Sequence, residues 1–388
     1  MGDLSFNVVP LYLVAQMNLH TSFILILSLL FGCALTDTLC AQTVNGEMTV
    51  KVEVKDRTYI GKPLVWDGDN MQLLRRDGRM TFLPVKSHDD YEVLSSSFSV
   101  MSRKMMVAKL RKEFGKRYTV STTSNFLVVH PHGAYHTWAK PFEDLNRRFA
   151  AFFSSRGHKL EQPQFPMVAV VLNTRHEFDR MLKGYYSANS NMLGYYSPRS
   201  NRIITYDQTQ DAGNSIFDTN TVIHEATHQT AFNRGVHNRF GEYSTWLVEG
   251  LACMFEAEGV HNSYIHTKRK DRVNSARLLA MQIAIKRGLA KGKLEEIIRD
   301  DELFRSDNQL AYAYAWGLTF YLAETQPREY LRYLTDDAQR KDFTAYRSKD
   351  RLQNFVKAFG SDLDKFESRM FNFLMKQKVQ VPTGVTRR

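Results

Sequence analysis

His224-Glu225-Ala226-Thr227-His228 and, some twenty residues on, Trp246-Leu247-Val248-Glu249-Gly250-Leu251-Ala252 decide how this chain is read. The first stretch lies in a segment expected to be helical, running through Thr221-Val222-Ile223 to about Asn233. Asp218 or Asn220 is placed to cap its start, and Gly235 suits its end. On a helix, residues four apart share one face, so the imidazoles of His224 and His228 can reach a single metal ion. Glu225 projects nearby, where it can polarise a water held by that ion.

H-E-x-x-H is the signature of zinc hydrolases. A catalytic zinc needs three protein ligands and one open position. Between His228 and Glu249 the remaining candidates are His237, Glu242 and Glu249. A metzincin would carry Gly at 231 and His at 234; this chain has Ala231 and Arg234, so that pattern is excluded. His237 and Glu242 fall in a loop-like stretch with Gly235, Asn238 and Gly241. Glu249 sits in an apolar helix, where a charge needs a partner that a metal ion would supply.

His224-Glu225-x-x-His228 with Trp246-Leu247-x-Glu249-Gly250-Leu251-Ala252 resembles the gluzincin peptidases, the superfamily of thermolysin and aminopeptidase N. The wider wording, His224 to Gln229 followed by Ala231-Phe232-Asn233, resembles a family of secreted bacterial peptidase-MA-like proteins described only as a domain of unknown function. The similarity is specific over about 217–257, looser over about 120–380, and says little about 1–105. The resemblance implies that His224, His228 and Glu249 are zinc ligands and Glu225 the general base. The Gly-x-Met-Glu-Asn strand of the aminopeptidase N branch is missing, so amino-terminal trimming is not implied.

The chain has 388 residues, 43% hydrophobic and 24% charged, which leaves room for two or three domains. Its net charge of +11 attracts polyanions, whether nucleic acid, anionic lipid or acidic wall polymer. The basic residues are scattered and form no nucleic-acid motif, so no nucleic-acid partner is expected; the charge reads first as solubility alone, with an anionic envelope polymer as a possible partner. Thr21 to Leu35 is the one strongly apolar run. It has the length of a signal-peptide core rather than a membrane span. Leu39-Cys40-Ala41 offers small residues for cleavage, and a secreted or periplasmic protein is expected. The segment before the run lacks Lys and Arg, so Met17 is a possible start and an N-terminal membrane anchor is the alternative. Cleavage would remove Cys33 and Cys40. Cys253 would then be the one cysteine, read as a small buried residue on the Glu249 helix.

The expected fold class is α+β. Residues 1–41 read as a signal peptide. Residues 42–105 read as a small β-barrel-like, SH3-like module, from alternation at 48–54 and short apolar runs at 59–60, 64–66, 71–74 and 80–83. Residues 106–260 read as a zincin-like region. Its helices fall at 106–114, 141–153 and 177–183, and its strands at 118–121, 126–130 and 168–172. A hairpin is expected at 193–206. Residues 261–388 read as helical, with periodicity at 276–290, 294–303, 309–325, 329–335 and 363–376, and complete the active-site cleft.

In the gluzincin resemblance an edge strand before the zinc helix pairs with substrate backbone. Gly194, Tyr195 and Tyr196 occupy that place, Gly194 permitting close approach. A Tyr or His from the helical region then stabilises the oxyanion; Tyr312 is the choice and Tyr314 the reserve. Glu256 reads as a solvated helix end. The expected activity is hydrolysis of peptide or protein substrates with Zn2+. The alternative is a catalytically silent, zinc-stabilised envelope-binding protein.

Overall fold

A computed structural model describes residues 42–43, 47–87, 90–133, 135–183, 192–210 and 219–379. The expected leader and the candidate cap Asp218 lie outside the described residues. Among those described, the chain is α+β, with two sheets and thirteen α-helices, and no helix is long and apolar enough to cross a membrane.

The first sheet comprises β1 (Gln42–Thr43), β2 (Thr49–Val54), β3 (Arg57–Trp66), β4 (Asn70–Arg75), β5 (Met80–Pro84) and β6 (Tyr91–Ser95). Its order is β5-β4-β3-β2-β6, all antiparallel, with β1 on β3. The pairing path is open at β5 and β6, and β2 and β5 approach each other across the curled sheet. Alternation in β2 buries Val50 and Val52 among Met71, Leu73, Leu83 and Val85. Tyr59-Ile60 and Leu64-Val65-Trp66, expected as separate strands, form one strand because a register shift between Pro63 and Val65 absorbs the proline. β6 was not anticipated: its residues are almost all exposed, so it carries no alternating pattern. The module is anchored to the rest of the chain. Arg239 donates to the carbonyls of Gly78 (2.6 Å) and Pro198 (2.7 Å), Met80 N–H donates to Arg199 (2.8 Å), and Asp77 pairs with Lys109.

The second sheet runs β10-β11-β9-β8-β7, from β7 (Tyr118–Thr122), β8 (Phe126–Pro131), β9 (Met167–Leu172), β10 (Gly194–Ser197) and β11 (Arg202–Tyr206). β8, β9 and β11 are parallel, and the outer strands are antiparallel. The continuous apolar runs of β8 and β9 are buried at every residue, as central parallel strands must be. Leu127, Val129, Val168 and Val170 meet α1 (Arg103–Phe114) and α3 (Arg175–Met181). Phe126, Val128, Ala169 and Val171 meet α2 (Tyr135–Ser154) and the helices beyond. α1 begins before its expected start because the Ser102 hydroxyl caps Met105 N–H at 3.3 Å.

Then follow α4 (Thr219–Asn233), α5 (Thr245–Phe255), α6 (Glu258–His261), α7 (Ser275–Lys286), α8 (Lys293–Arg299), α9 (Glu302–Ser306), α10 (Asn308–Thr325), α11 (Pro327–Ala338), α12 (Ser348–Phe359) and α13 (Leu363–Met375). The single helix expected over 294–303 is broken at Asp300, whose backbone is extended. α12 was missed by the periodicity reading; it buries Phe355 and Phe359 together with a charged residue, Arg351, on the same helix. α10 is buried from Leu310 to Leu322 and forms the axis of this half. One apolar core extends from Phe126 to Leu374, so it crosses position 260 without a break.

Candidate metal centre

α4 and α5 create the site. Every residue of α5 is buried, and Gly250 explains how. A Cβ there would lie 2.2 Å from Thr319 Oγ1 and 2.5 Å from the Ala315 carbonyl, so only glycine lets α10 seat this closely. Glu249, the residue before it, turns towards α4. His224 Nε2 lies 3.1 Å from His228 Nε2 and 3.2 Å from Glu249 Oε2, and His228 Nε2 lies 3.5 Å from that same oxygen.

This triangle has a physical meaning. Glu256 Oε1 sits 2.7 Å from His224 Nδ1 and accepts its proton, so in the neutral ring Nε2 presents a lone pair. That lone pair faces the Glu249 oxygen and His228 Nε2, which is a further acceptor when its ring carries the proton on Nδ1. Such a cluster repels itself unless a proton or cation lies at its centre. Ligands about 2.0–2.1 Å from a tetrahedral ion are separated by roughly 3.3 Å, close to all three spacings. The group can therefore hold a metal ion.

The same field shows in the protonation equilibria. Burial works to raise the Glu249 carboxyl, but the His228 and His224 imidazoles outweigh it and hold Glu249 well below the usual range. Burial works to lower His224, but Cys253, Glu249 and Glu256 together hold it well above its ordinary value.

Behind His224 stands a second set of groups. Glu256, expected at a solvated helix end, instead fixes the His224 ring. Its other oxygen accepts from Asn274 Nδ2 at 2.7 Å, and Asn274 also caps α7. Asn274 stands 18 residues on, at the start of α7, so nothing beside Glu256 in the sequence marks it. His224, Cys253 and Glu256 also lie within ligand distance of one another. There, however, the cation is already supplied by Arg277, half-buried beside Cys253 and Glu256, which raise it against desolvation. Cys253 is fully buried in the core, as expected, yet it also touches this network.

Glu225 is held by the sheet. Tyr196 N–H donates to its Oε2 at 2.6 Å, while the buried Oε1 has no partner among the described residues. Burial raises the Glu225 carboxyl, against the lowering pull of His224 and His228. Gly194 makes this contact possible: a Cβ there would lie 2.7 Å from Thr221 Cγ2 and 2.9 Å from Glu225 Cγ. The close approach expected at Gly194 is thus to α4. The Tyr196 ring is a core group, stacked 5.7 Å from Phe232 with its hydroxyl on Asn201. Tyr195 is half-buried.

Tyr312 is brought to the site. Its ring lies 6.4 Å from that of His224 with Arg277 over its face at 5.0 Å, and its phenol is raised by burial, then by Glu249 and Cys253. Tyr314 is not: its hydroxyl donates to Glu367 on α13 at 2.6 Å. The other two candidate ligands also fall away. Glu242 accepts from Tyr346 N–H at 2.7 Å, bracing the loop against the C-terminal half. His237 is buried near His228 and Glu249 but outside the ligand triangle, and burial pushes its imidazole down to about 3, so it stays neutral. Tyr243, which drew no attention in the sequence, lies half-buried in electrostatic reach of Tyr195 and Glu249. Burial, then these neighbours, keep its phenol protonated.

Residues 218–344 match the model of a family described as "Protein of unknown function (DUF1570)". The match takes in both ligand-bearing helices and Tyr312. No curated protein matches the chain.

Proposed function

We propose that this protein is an exported zinc-dependent peptidase of the gluzincin type, with His224, His228 and Glu249 holding the ion and Glu225 as general base. The observation that carries this is the triangle of 3.1, 3.2 and 3.5 Å between three buried acceptor atoms with Glu225 beside it. Two imidazoles and one carboxylate with a fourth position open are the donor set of catalytic zinc. Bound there, zinc supplies Lewis acidity that brings a water's pKa towards neutrality.

The chain's own residues supply the rest. Tyr196 N–H anchors one oxygen of Glu225 and leaves the other to take a proton from the attacking water. Burial raises the basicity of that carboxylate, and the same oxygen then returns the proton to the leaving amine. The Tyr312 phenol, kept protonated beside Glu249, is the donor proposed for the oxyanion. Tyr195 and Tyr243 are the half-buried groups assigned to the substrate backbone, since Gly194 and Tyr196 are engaged with Glu225.

The test is metal analysis of the purified protein beside a proteome-wide cleavage screen. One zinc per chain, with cleavage abolished by a chelator and restored by zinc, is the expected result. A chain that keeps zinc and cleaves nothing is instead a zinc-stabilised binding protein. A chain that binds no metal refutes both.

A further inference from the structure

Between α6 and a 3-10 turn at Arg269–Arg272 the chain runs outward as a loop, residues 262–268. Its base is firmly built. Gly259 backs directly onto the 3-10 turn: a Cβ there would lie 2.4 Å from the Asp271 carbonyl carbon and 2.6 Å from Arg272 N. Arg269 and Arg272 both pair with Glu324 on α10, at 2.9 and 2.7 Å. Arg272 also donates to the Thr267 carbonyl at 3.2 Å. Within the loop, Ile265 and His266 N–H groups both donate to the Asn262 carbonyl, at 3.0 and 3.1 Å. So many internal bonds give the loop a defined shape.

That shape presents apolar groups to water. Tyr264 is 94% exposed and Ile265 67%, the highest values among the exposed large hydrophobic side chains described. Lys268, Arg269 and Lys270 follow at once and are exposed as well. The tip contributes nothing to the core, so its apolar pair has no use inside the fold. Two side chains are far too few for the centre of a stable protein interface, which takes about 20–30 residues a side. A tyrosine and an aliphatic at a tip beside three basic residues suit a bilayer surface instead. The phenol ring sits at headgroup depth, the aliphatic group goes deeper, and the cations meet lipid phosphates. The net charge of +11 favours the same approach.

We propose that residues 262–270 form a membrane-docking tip, which inserts Tyr264 and Ile265 into the headgroup region of an anionic bilayer while Lys268 and Lys270 contact the phosphates. The proposal stands independently of the peptidase reading.

The experiment is sedimentation of the full chain with vesicles of phosphatidylcholine alone or with about one third phosphatidylglycerol, compared between variants so that any other membrane-binding segment is held constant. Tyr264→Ser with Ile265→Ser is expected to lower partitioning onto the anionic vesicles about tenfold or more. Lys268→Gln with Lys270→Gln is expected to lower it by a similar factor and weaken its salt dependence. Tyr264→Trp is expected to show a blue-shifted emission on the anionic vesicles, and circular dichroism checks that each variant is folded. Unchanged partitioning of the serine variant, or unshifted tryptophan emission, overturns the proposal. So does equal serine-variant and wild-type binding to soluble polyphosphate together with no preference for vesicles, which would mark the tip as a polymer site.

Discussion

Under the proposed function, Glu225→Gln separates catalysis from architecture at this site. In the wild type, Glu225 Oε2 accepts the Tyr196 N–H at 2.6 Å and Oε1 has no partner among the described residues. A glutamine keeps an oxygen for Tyr196 and turns its amide towards the position of Oε1. No buried hydrogen bond is broken, so stability should change by no more than about 1 kcal/mol. Zinc content should not change, because the proposed ligands are His224, His228 and Glu249. What is lost is the proton acceptor, and general-base catalysis contributes typically 10²–10⁴-fold, or about 3–5 kcal/mol of barrier. Glu225→Ala should lose the same activity and also orphan the Tyr196 N–H, costing about 1–3 kcal/mol more in stability. Initial rates on a quenched fluorescent unfolded protein, zinc by mass spectrometry and calorimetric Tm give the three readouts. Glutamine-variant activity within about tenfold of wild type, or zinc lost together with activity, would refute the assignment of Glu225 as base.

Three other outcomes follow from the geometry. Glu256→Ala removes the acceptor that orients His224 and should weaken zinc affinity about 10–100-fold, while Glu256→Gln retains most of it; competition with a chelating dye measures both. Gly194→Ala drives a methyl against Thr221 and Glu225 and should cost about 1–3 kcal/mol by urea denaturation, with activity falling further because Glu225 is displaced. Asp77 carries a pH prediction. Burial would raise its carboxyl, but Arg79 and Lys109 hold it below the ordinary value of 3.8. A depressed folded pKa means that the stabilisation is present above the unfolded pKa and drains away as pH falls below about 4. Asp77→Asn should flatten the acid limb of the stability profile, and an unchanged limb would show that the Asp77–Lys109 link adds nothing.

The candidate ligands were legible as a group because the helical period is local: His224 and His228, four apart, must share a face wherever the helix packs. Glu249 was legible because a carboxylate within Trp246–Phe255 has no other use in so apolar a helix. Glu256 was misread since its partner Asn274 arrives from another helix, and no pattern near Glu256 announces it. Tyr312 and Tyr314 show the same limit. Two residues apart on α10, they point about 200° apart, so one meets Glu249 and the other Glu367. Sequence supplies the offset between them but not the side on which α5 lies.

Local periodicity and residue chemistry, then, prescribe most of the elements, the central strands and the candidate metal-binding triad, because each depends on neighbours along the chain. The seating of β10 against α4 through Gly194, the packing of α5 on α10 through Gly250 and the bracing of His224 by Glu256 and Asn274 depend on contacts between segments far apart in the chain. Those contacts aim Glu249 and Glu225 at a single point, and only the folded packing of helices and sheet sets them.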